Sequence, residues 1–418
     1  MKHLRSICFL ALVFLLCGAF TVPAQTPAPN KETPVVALVG GTLIDGNGGT
    51  PVADAVVLLQ GTKILKAGPA SAVKVPEKAE RIDVRGKFIL PGFIDCHIHV
   101  TYPFSDAEYF GDTDATMTLR ALHVMNLYLK SGVTAVRDVG SNVPSLQGLV
   151  AAQAAGYVDS IRLFGCGALI TTTGGHGDGL KGVMAVDGPW EFRKAVRQMV
   201  KDGFGHIKLS PPYTLEEVQA AVDEARIQGV RITSHGGGFS DTTPTSMTRI
   251  AVQGGVQCIE HLNEMEDDVL DLMAAKGVYS VPTMAVYRAL YKVGGVPPVL
   301  IEKRHWSQAM HETLFRKARQ RKILMGVGTD FVGPFMAQYP GCYFEELKYY
   351  VELGLTPMEA IVAATHNGAV VLGKLDQLGT IEAGKLADLQ VVKGDPLKSF
   401  DALGKPEVVI IDGKVHRF

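Results

Sequence analysis

From Phe88 onward the chain repeats one pattern, a short apolar run followed by a segment of helical texture. After the first run come Thr134–Arg137, Ile161–Phe164, Ile207–Leu209, Val230–Thr233, Gln257–Ile259, Val278–Thr283 and Ile323–Val327. The clearest helix is expected over Leu215–Gln228, with Thr214 as N-cap and Glu216 and Glu217 in its first turn. Its stripe Val218, Ala221, Val222 and Ala225 should face the sheet. Strands that alternate with helices pair in parallel. Roughly eight such units favour a closed (β/α)8, TIM-like barrel over a doubly wound sheet. No Gly-x-Gly-x-x-Gly fingerprint opens a first helix, and Gly236-Gly237-Gly238 lacks that spacing, so a dinucleotide fold is disfavoured.

The two ends read differently. Residues 35–90 and 382–418 hold short strand-like runs separated by turn signals such as Asp45-Gly46-Asn47-Gly48-Gly49 and Asp412-Gly413. Neither end has enough apolar residues for its own core. Together they are expected to form one small composite β-sandwich domain where the termini meet, framing a barrel over 91–381. Residues 1–24 read as a signal peptide: Lys2 and Arg5, an apolar core from Ile7 to Phe20, and Val22-Pro23-Ala24 as cleavage site. Leu16 before Cys17 argues against a lipoprotein. Residues 25–34 form a Pro-containing tether. The expected location is secreted or periplasmic, with no transmembrane segment. Lys and Arg total 41 against 42 Asp and Glu, so no basic surplus points to nucleic acid. The four cysteines beyond the signal peptide are too few for a disulfide scaffold and are expected as buried thiols.

Polar residues stand where the runs end. Pro91-Gly92-Phe93-Ile94-Asp95-Cys96-His97-Ile98-His99 delivers two histidines to the same side of a strand, with Cys96 pointing the other way. Lys208 interrupts Ile207-Lys208-Leu209, and His235, His261 and Asp330 follow three further runs. In a barrel, equivalent strand ends converge on one face. Neutral imidazoles and a carboxylate suit zinc or a similar divalent ion. Lys208 fits the set as a carbamate, N6-carboxylysine, whose two oxygens can bridge two ions that share a hydroxide. Asp330 can bind one ion and shuttle the proton. Taken singly, each residue has an ordinary reading: a strand histidine packs in a core, Lys208 pairs with a carboxylate, Asp330 caps the next segment. Their joint placement favours two divalent metal ions.

These motifs resemble the amidohydrolase superfamily. Further matches are Gly41-Thr42-Leu43-Ile44-Asp45-Gly46, Ile259-Glu260-His261, Gly328-Thr329-Asp330, Ala363-Ala364-Thr365-His366-Asn367-Gly368-Ala369 and Gly379-Thr380-Ile381-Glu382-Ala383-Gly384-Lys385-Leu386-Ala387-Asp388-Leu389. The chain is similar to the imidazolonepropionase-related branch, which includes binuclear Xaa-Pro dipeptidases and carboxypeptidase-like enzymes. The resemblance implies that His97, His99, Lys208 and Asp330 bind the more buried ion, and that Lys208, His235 and His261 bind the second. It also implies a homo-oligomer. One departure is that Ser210-Pro211-Pro212-Tyr213 leads directly into a helix where relatives often carry a longer Gly-rich loop, so specificity does not transfer.

Around the mouth, Gly174-Gly175-His176-Gly177 resembles a segment of the dipeptidase-like relatives, and His176 is a candidate donor to the scissile carbonyl. Arg137 and Tyr213 are candidates for a substrate carboxylate, Arg137 having Asp138 as an alternative partner. The loop Phe331–Phe344, with Phe335, Tyr339 and Tyr343, is a candidate aromatic pocket, Tyr339 being a candidate substrate contact. The expected enzyme cleaves a C–N amide bond in a dipeptide (Xaa-Pro or another C-terminal residue) or an N-acyl amino acid by attack of a metal-bridging hydroxide. A lactone or cyclic amide hydrolase built on the same site is the alternative, and a non-enzymatic metal or small-molecule binding protein the remote one.

Overall fold

The computed structural model describes residues 34–102, 111–238, 246–296, 298–332, 338 and 340–418. The expected signal peptide and all of the tether but Pro34 lie outside the described residues. No helix among the described residues is long and apolar enough to cross a membrane.

The chain enters through β1 (Val35–Leu43), β2 (Val52–Gln60), β3 (Lys63–Pro69), β4 (Glu80–Asp83) and β5 (Lys87–Pro91). β1, β2 and β3 form an antiparallel meander, with Leu38 opposite Val57, while β4 and β5 run parallel to β1. The barrel follows as β6 (Phe93–Ile98), α1 (Asp114–Ser131), β7 (Val133–Asp138), α2 (Val143–Ala154), β8 (Arg162–Gly165), β9 (Leu169–Thr171), β10 (Val183–Ala185), α3 (Gly188–Lys201), β11 (His206–Leu209) and α4 (Leu215–Gln228). It continues through β12 (Arg231–His235), α5 (Met247–Gly254), β13 (Cys258–Glu260), α6 (Asp267–Lys276), β14 (Tyr279–Val281), α7 (Met284–Val293), α8 (Pro298–Arg304), α9 (Gln308–Gln320), α10 (Gly341–Glu352), α11 (Pro357–Val362), a π turn at Ala363–Asn367 and α12 (Gly368–Leu372).

Eight staves make the ring, although two are irregular. β6, β7 and β8 pair in parallel, as do β9, β11, β12, β13 and β14. β8 and β9 are two halves of one stave, broken where Gly167 takes a φ of +71°. The eighth stave is not a regular strand: Met325 bridges Ser280 in parallel, and Cys96 N donates to Val327 O at 2.8 Å, which closes the ring. Both faces of a barrel strand are covered, so the strands read as continuous apolar runs; every residue of β6 and β7 is buried. Outside the ring, Leu146, Phe192, Val196, Val218 and Ala221 belong to the main apolar core.

The C-terminal strands β15 (Leu389–Lys393), β16 (Val408–Ile411) and β17 (Lys414–Arg417) complete the first sheet. β15 lies antiparallel to β5, Val391 opposite Ile89, and the eight strands run β17-β16-β15-β5-β1-β2-β3 with β4 on β1. Leu38, Val57, Leu59, Ile89, Leu389 and Ile410 share one apolar core, so each chain end contributes half of what neither could bury alone. Arg162 ties this unit to the barrel through Asp388 at 2.6 Å.

α4 occupies the span expected for it. Thr214 Oγ1 accepts from Glu217 N, Glu217 Oε2 accepts from Thr214 N at 2.7 Å, and Gly229 ends the helix at φ +70°. Thr214→Ala is expected to cost about 1 kcal/mol of stability, read as a lower urea midpoint with an unchanged slope. The four cysteines are free and buried. Cys96 packs with Ile94, Ala135, Cys258 and Val281, its Sγ 3.8 Å from Gly368 O.

Candidate metal centre

The staves end on a cavity of about 990 Å³ lined by His97, His99, Lys208, His235, His261 and Asp330. Register explains the convergence: Lys208 lies opposite Thr233, and His235 opposite Glu260, so consecutive staves reach the rim at the same level. Close approach needs glycine at Gly328, where a Cβ would stand 2.7 Å from that of His97. His261 and Asp330 take left-handed backbones, φ +71° and +51°. Such conformations cost on the order of 1–3 kcal/mol in non-glycine residues and cluster at functional sites.

His97 Nε2 and His99 Nε2 each lie 3.3 Å from Asp330 Oδ1, and His261 Nε2 lies 3.9 Å from Asp330 Oδ2. The ligating atoms of His97, His261 and Asp330 fall within 4.8 Å of one another. His235 stacks obliquely beside His261, with ring centres 4.3 Å apart. The opposite nitrogens of three rings are held from behind. His99 Nδ1 donates to Gly140 O at 2.6 Å, His97 Nδ1 to Glu260 Oε2 at 2.8 Å, and His261 Nδ1 is 2.6 Å from Thr283 Oγ1. Outer partners of this kind fix ring orientation and tautomer in metal sites.

Lys208 Nζ is buried and has no hydrogen-bond partner among the described residues. Burial drives its pKa down, and the charges of Glu260 and Asp330 oppose this only in part. A lowered pKa enlarges the share of neutral amine, the form that is nucleophilic toward CO2, and a carbamate there would supply anionic oxygens to the site. Burial also holds His235 and His261 well below the usual histidine range, which favours the neutral, ligating form. Burial alone would raise Asp330, but His97 and His99 outweigh it and hold the carboxyl well below the usual range. His235 and His261 held toward the neutral form, an ionised carboxylate and one unpartnered amine make a donor set that fits divalent metal.

The candidates around the mouth fare differently. His176 lies above His235, ring centres 4.5 Å apart, and lines the cavity. Its loop is tied to Ser210–Tyr213: Thr172 Oγ1 donates to Pro212 O at 2.9 Å. Tyr213 lines the wall, but its hydroxyl is engaged with Ser234 Oγ at 2.7 Å. Arg137 departs from expectation. It is buried inside the ring, donating to Cys96 O at 2.6 Å and to Glu260 Oε1 at 2.5 Å, and does not pair with Asp138 or line the cavity. Arg137 is next to last in β7 yet takes its surroundings from the ring interior, which no local pattern reveals. Tyr339 and Phe335 lie outside the described residues. Tyr343 is fully buried and donates to Ile94 O at 3.1 Å, so it does not reach the cavity. Among the described residues the aromatic wall comes from Tyr102, Tyr287 and Trp306. His311 stacks behind Tyr287, ring centres 4.1 Å apart. Glu260 had a visible signal, an acid in an apolar run next to a strand-end histidine; Tyr287, on α7, and Trp306, in the connection between α8 and α9, had none.

The profile of the amidohydrolase family matches residues 88–416. The ochratoxinase of Aspergillus niger is 26% identical, across 91% of this chain and 86% of that protein. An imidazolonepropionase of Rhizobium rhizogenes is 24% identical, across 81% of this chain and 86% of its own. Among solved structures, a Xaa-Pro dipeptidase with methionine bound in its active site matches with a TM-score of 0.82 at 30% identity, over 92% of this chain and 100% of that one. A prolidase in complex with N-methylphosphonate-L-proline matches at 0.80 and 29%, over 92% and 99%.

Proposed function

The chain belongs to the amidohydrolase family and is a metal-dependent amidohydrolase, and from that premise we propose that it uses two divalent ions to cleave the C–N amide bond of a dipeptide or an N-acyl amino acid with a free carboxylate. The observation that carries this reading is the buried Lys208 Nζ, unpartnered among the described residues, on the same cavity as His97, His99, His235, His261 and Asp330. In this reading His97, His99 and Asp330 hold one ion, His235 and His261 the other, and carboxylated Lys208 both. When bound, the ions supply Lewis acidity toward water and toward the carbonyl oxygen.

The chain's own groups do the rest. Asp330 is ionised and faces the cavity, so it accepts a proton from the attacking water and returns it to the leaving nitrogen. His176, stacked above His235, donates toward the carbonyl oxygen as negative charge develops there. Tyr102, Tyr287 and Trp306 wall off water from the substrate's apolar portion. The amide-cleaving relatives support the C–N bond as target.

Mass spectrometry on a mixed panel of dipeptides and N-acyl amino acids, incubated with zinc-loaded protein, tests the reading. Release of the C-terminal amino acid is expected. No release from any linear amide, with turnover of a lactone or cyclic amide, would replace this reading with the ring-opening one that the imidazolonepropionase relatives favour.

A further inference from the structure

The imidazoles that converge on Asp330 are not held alike. His99 leans on a carbonyl and His261 on a hydroxyl, both neutral partners. His97 leans on Glu260, a carboxylate with no solvent exposure. Glu260 is gripped in turn: its Oε1 accepts from Arg137 Nη2 at 2.5 Å and from the Thr233 hydroxyl. Arg137 also donates from Nε to Cys96 O at 2.6 Å, on the residue just before His97. One guanidinium therefore fixes both the backbone that enters His97 and the carboxylate that orients its ring. Consecutive strand residues normally face opposite ways. The left-handed turn at His261 lets Glu260 reach His97 while its own neighbour reaches the cavity.

An imidazole that donates to a carboxylate is a more basic ligand at its other nitrogen than one that donates to a neutral group. The carboxylate stays charged in the interior because a cation is bonded to it. We infer that Glu260, held by Arg137, is a positioning residue that makes the two metal positions unequal, the one carrying His97 being the tighter. This rests on the binuclear reading above.

The test is a zinc titration of the chelator-stripped full chain against a competing chromophoric chelator. Wild type should fill in two steps. Glu260→Gln should weaken the tighter step by about ten- to a hundred-fold and leave the looser one in place. Zinc-loaded, 15N-histidine-labelled wild type should show the His97 Nδ1 proton further downfield than those of His99 and His261, the mark of an N–H donated to a carboxylate, which a merely space-filling Glu260 would not set. Two zinc ions bound with equal affinity by wild type would overturn the inference while sparing the binuclear reading. So would a Glu260→Gln titration that matches wild type or weakens both steps alike. Should that variant fail to fold, the wild-type titration and the shift of the His97 Nδ1 proton decide. Wild type that binds no zinc would overturn both readings.

Discussion

Asp330→Asn is expected to lower kcat by about 10²–10⁴-fold. Asparagine keeps the size of the side chain and one acceptor oxygen, so the wall of the cavity is preserved. It removes the negative charge that His97 and His99 stabilise and the basic oxygen that they face. The proton from water then lacks its acceptor, and the leaving nitrogen lacks its donor. KM should move much less than kcat, because the group acts mainly as charge redistributes. Zinc content measured on the same preparation separates loss of an ion from loss of proton transfer. Wild-type kcat in a variant that retains both ions would take Asp330 out of the proton path.

Lys208→Met is the second large effect. The side chain is fully buried with an unpartnered amine, so an apolar chain of similar length fits the space. The fold should survive or become more stable, since a buried orphan polar atom is removed. The variant should bind at most one zinc ion, and kcat should fall by on the order of 10²–10³, as when a group that stabilises developing charge is lost. A parallel measurement on wild type isolates the carbamate. Stripped protein given zinc in CO2-free buffer should regain little metal, and bicarbonate should restore both metal and turnover. Metal uptake indifferent to bicarbonate, with Lys208→Met fully active, would leave the lysine a packing residue.

The six candidate ligands left a signal in the sequence because a barrel turns positions far apart into neighbours, and each put a polar group inside or at the end of an apolar run. α4 was legible to its ends because Thr214, Glu217 and Gly229 set its limits locally. What depended on tertiary context was not. The eighth stave makes only an isolated bridge and single hydrogen bonds, so its apolar run overstates its regularity. The third stave breaks at a glycine whose φ the sequence does not announce. Arg137 read as a mouth residue because a strand-end position does not tell whether the side chain enters the cavity or the ring interior; its partner Glu260 comes from another stave. Tyr287 joins the wall only because α7 starts where Glu346 accepts from Met284 N at 2.8 Å, a contact between distant segments.

The place of β5 between β1 and β15 bears on how the molecule is made. Gln390 Nε2 donates to Pro91 O across 299 positions of chain, at 3.2 Å. A ribosome therefore delivers β1 to β5 with one edge bare, and the strand that covers it arrives only after the whole barrel has been synthesised. Until then an apolar sheet margin is open to mispairing with other nascent chains. Loss of the last few dozen residues would strand that margin permanently, so C-terminal truncations should surface as insoluble protein even though they remove no group from the catalytic cavity.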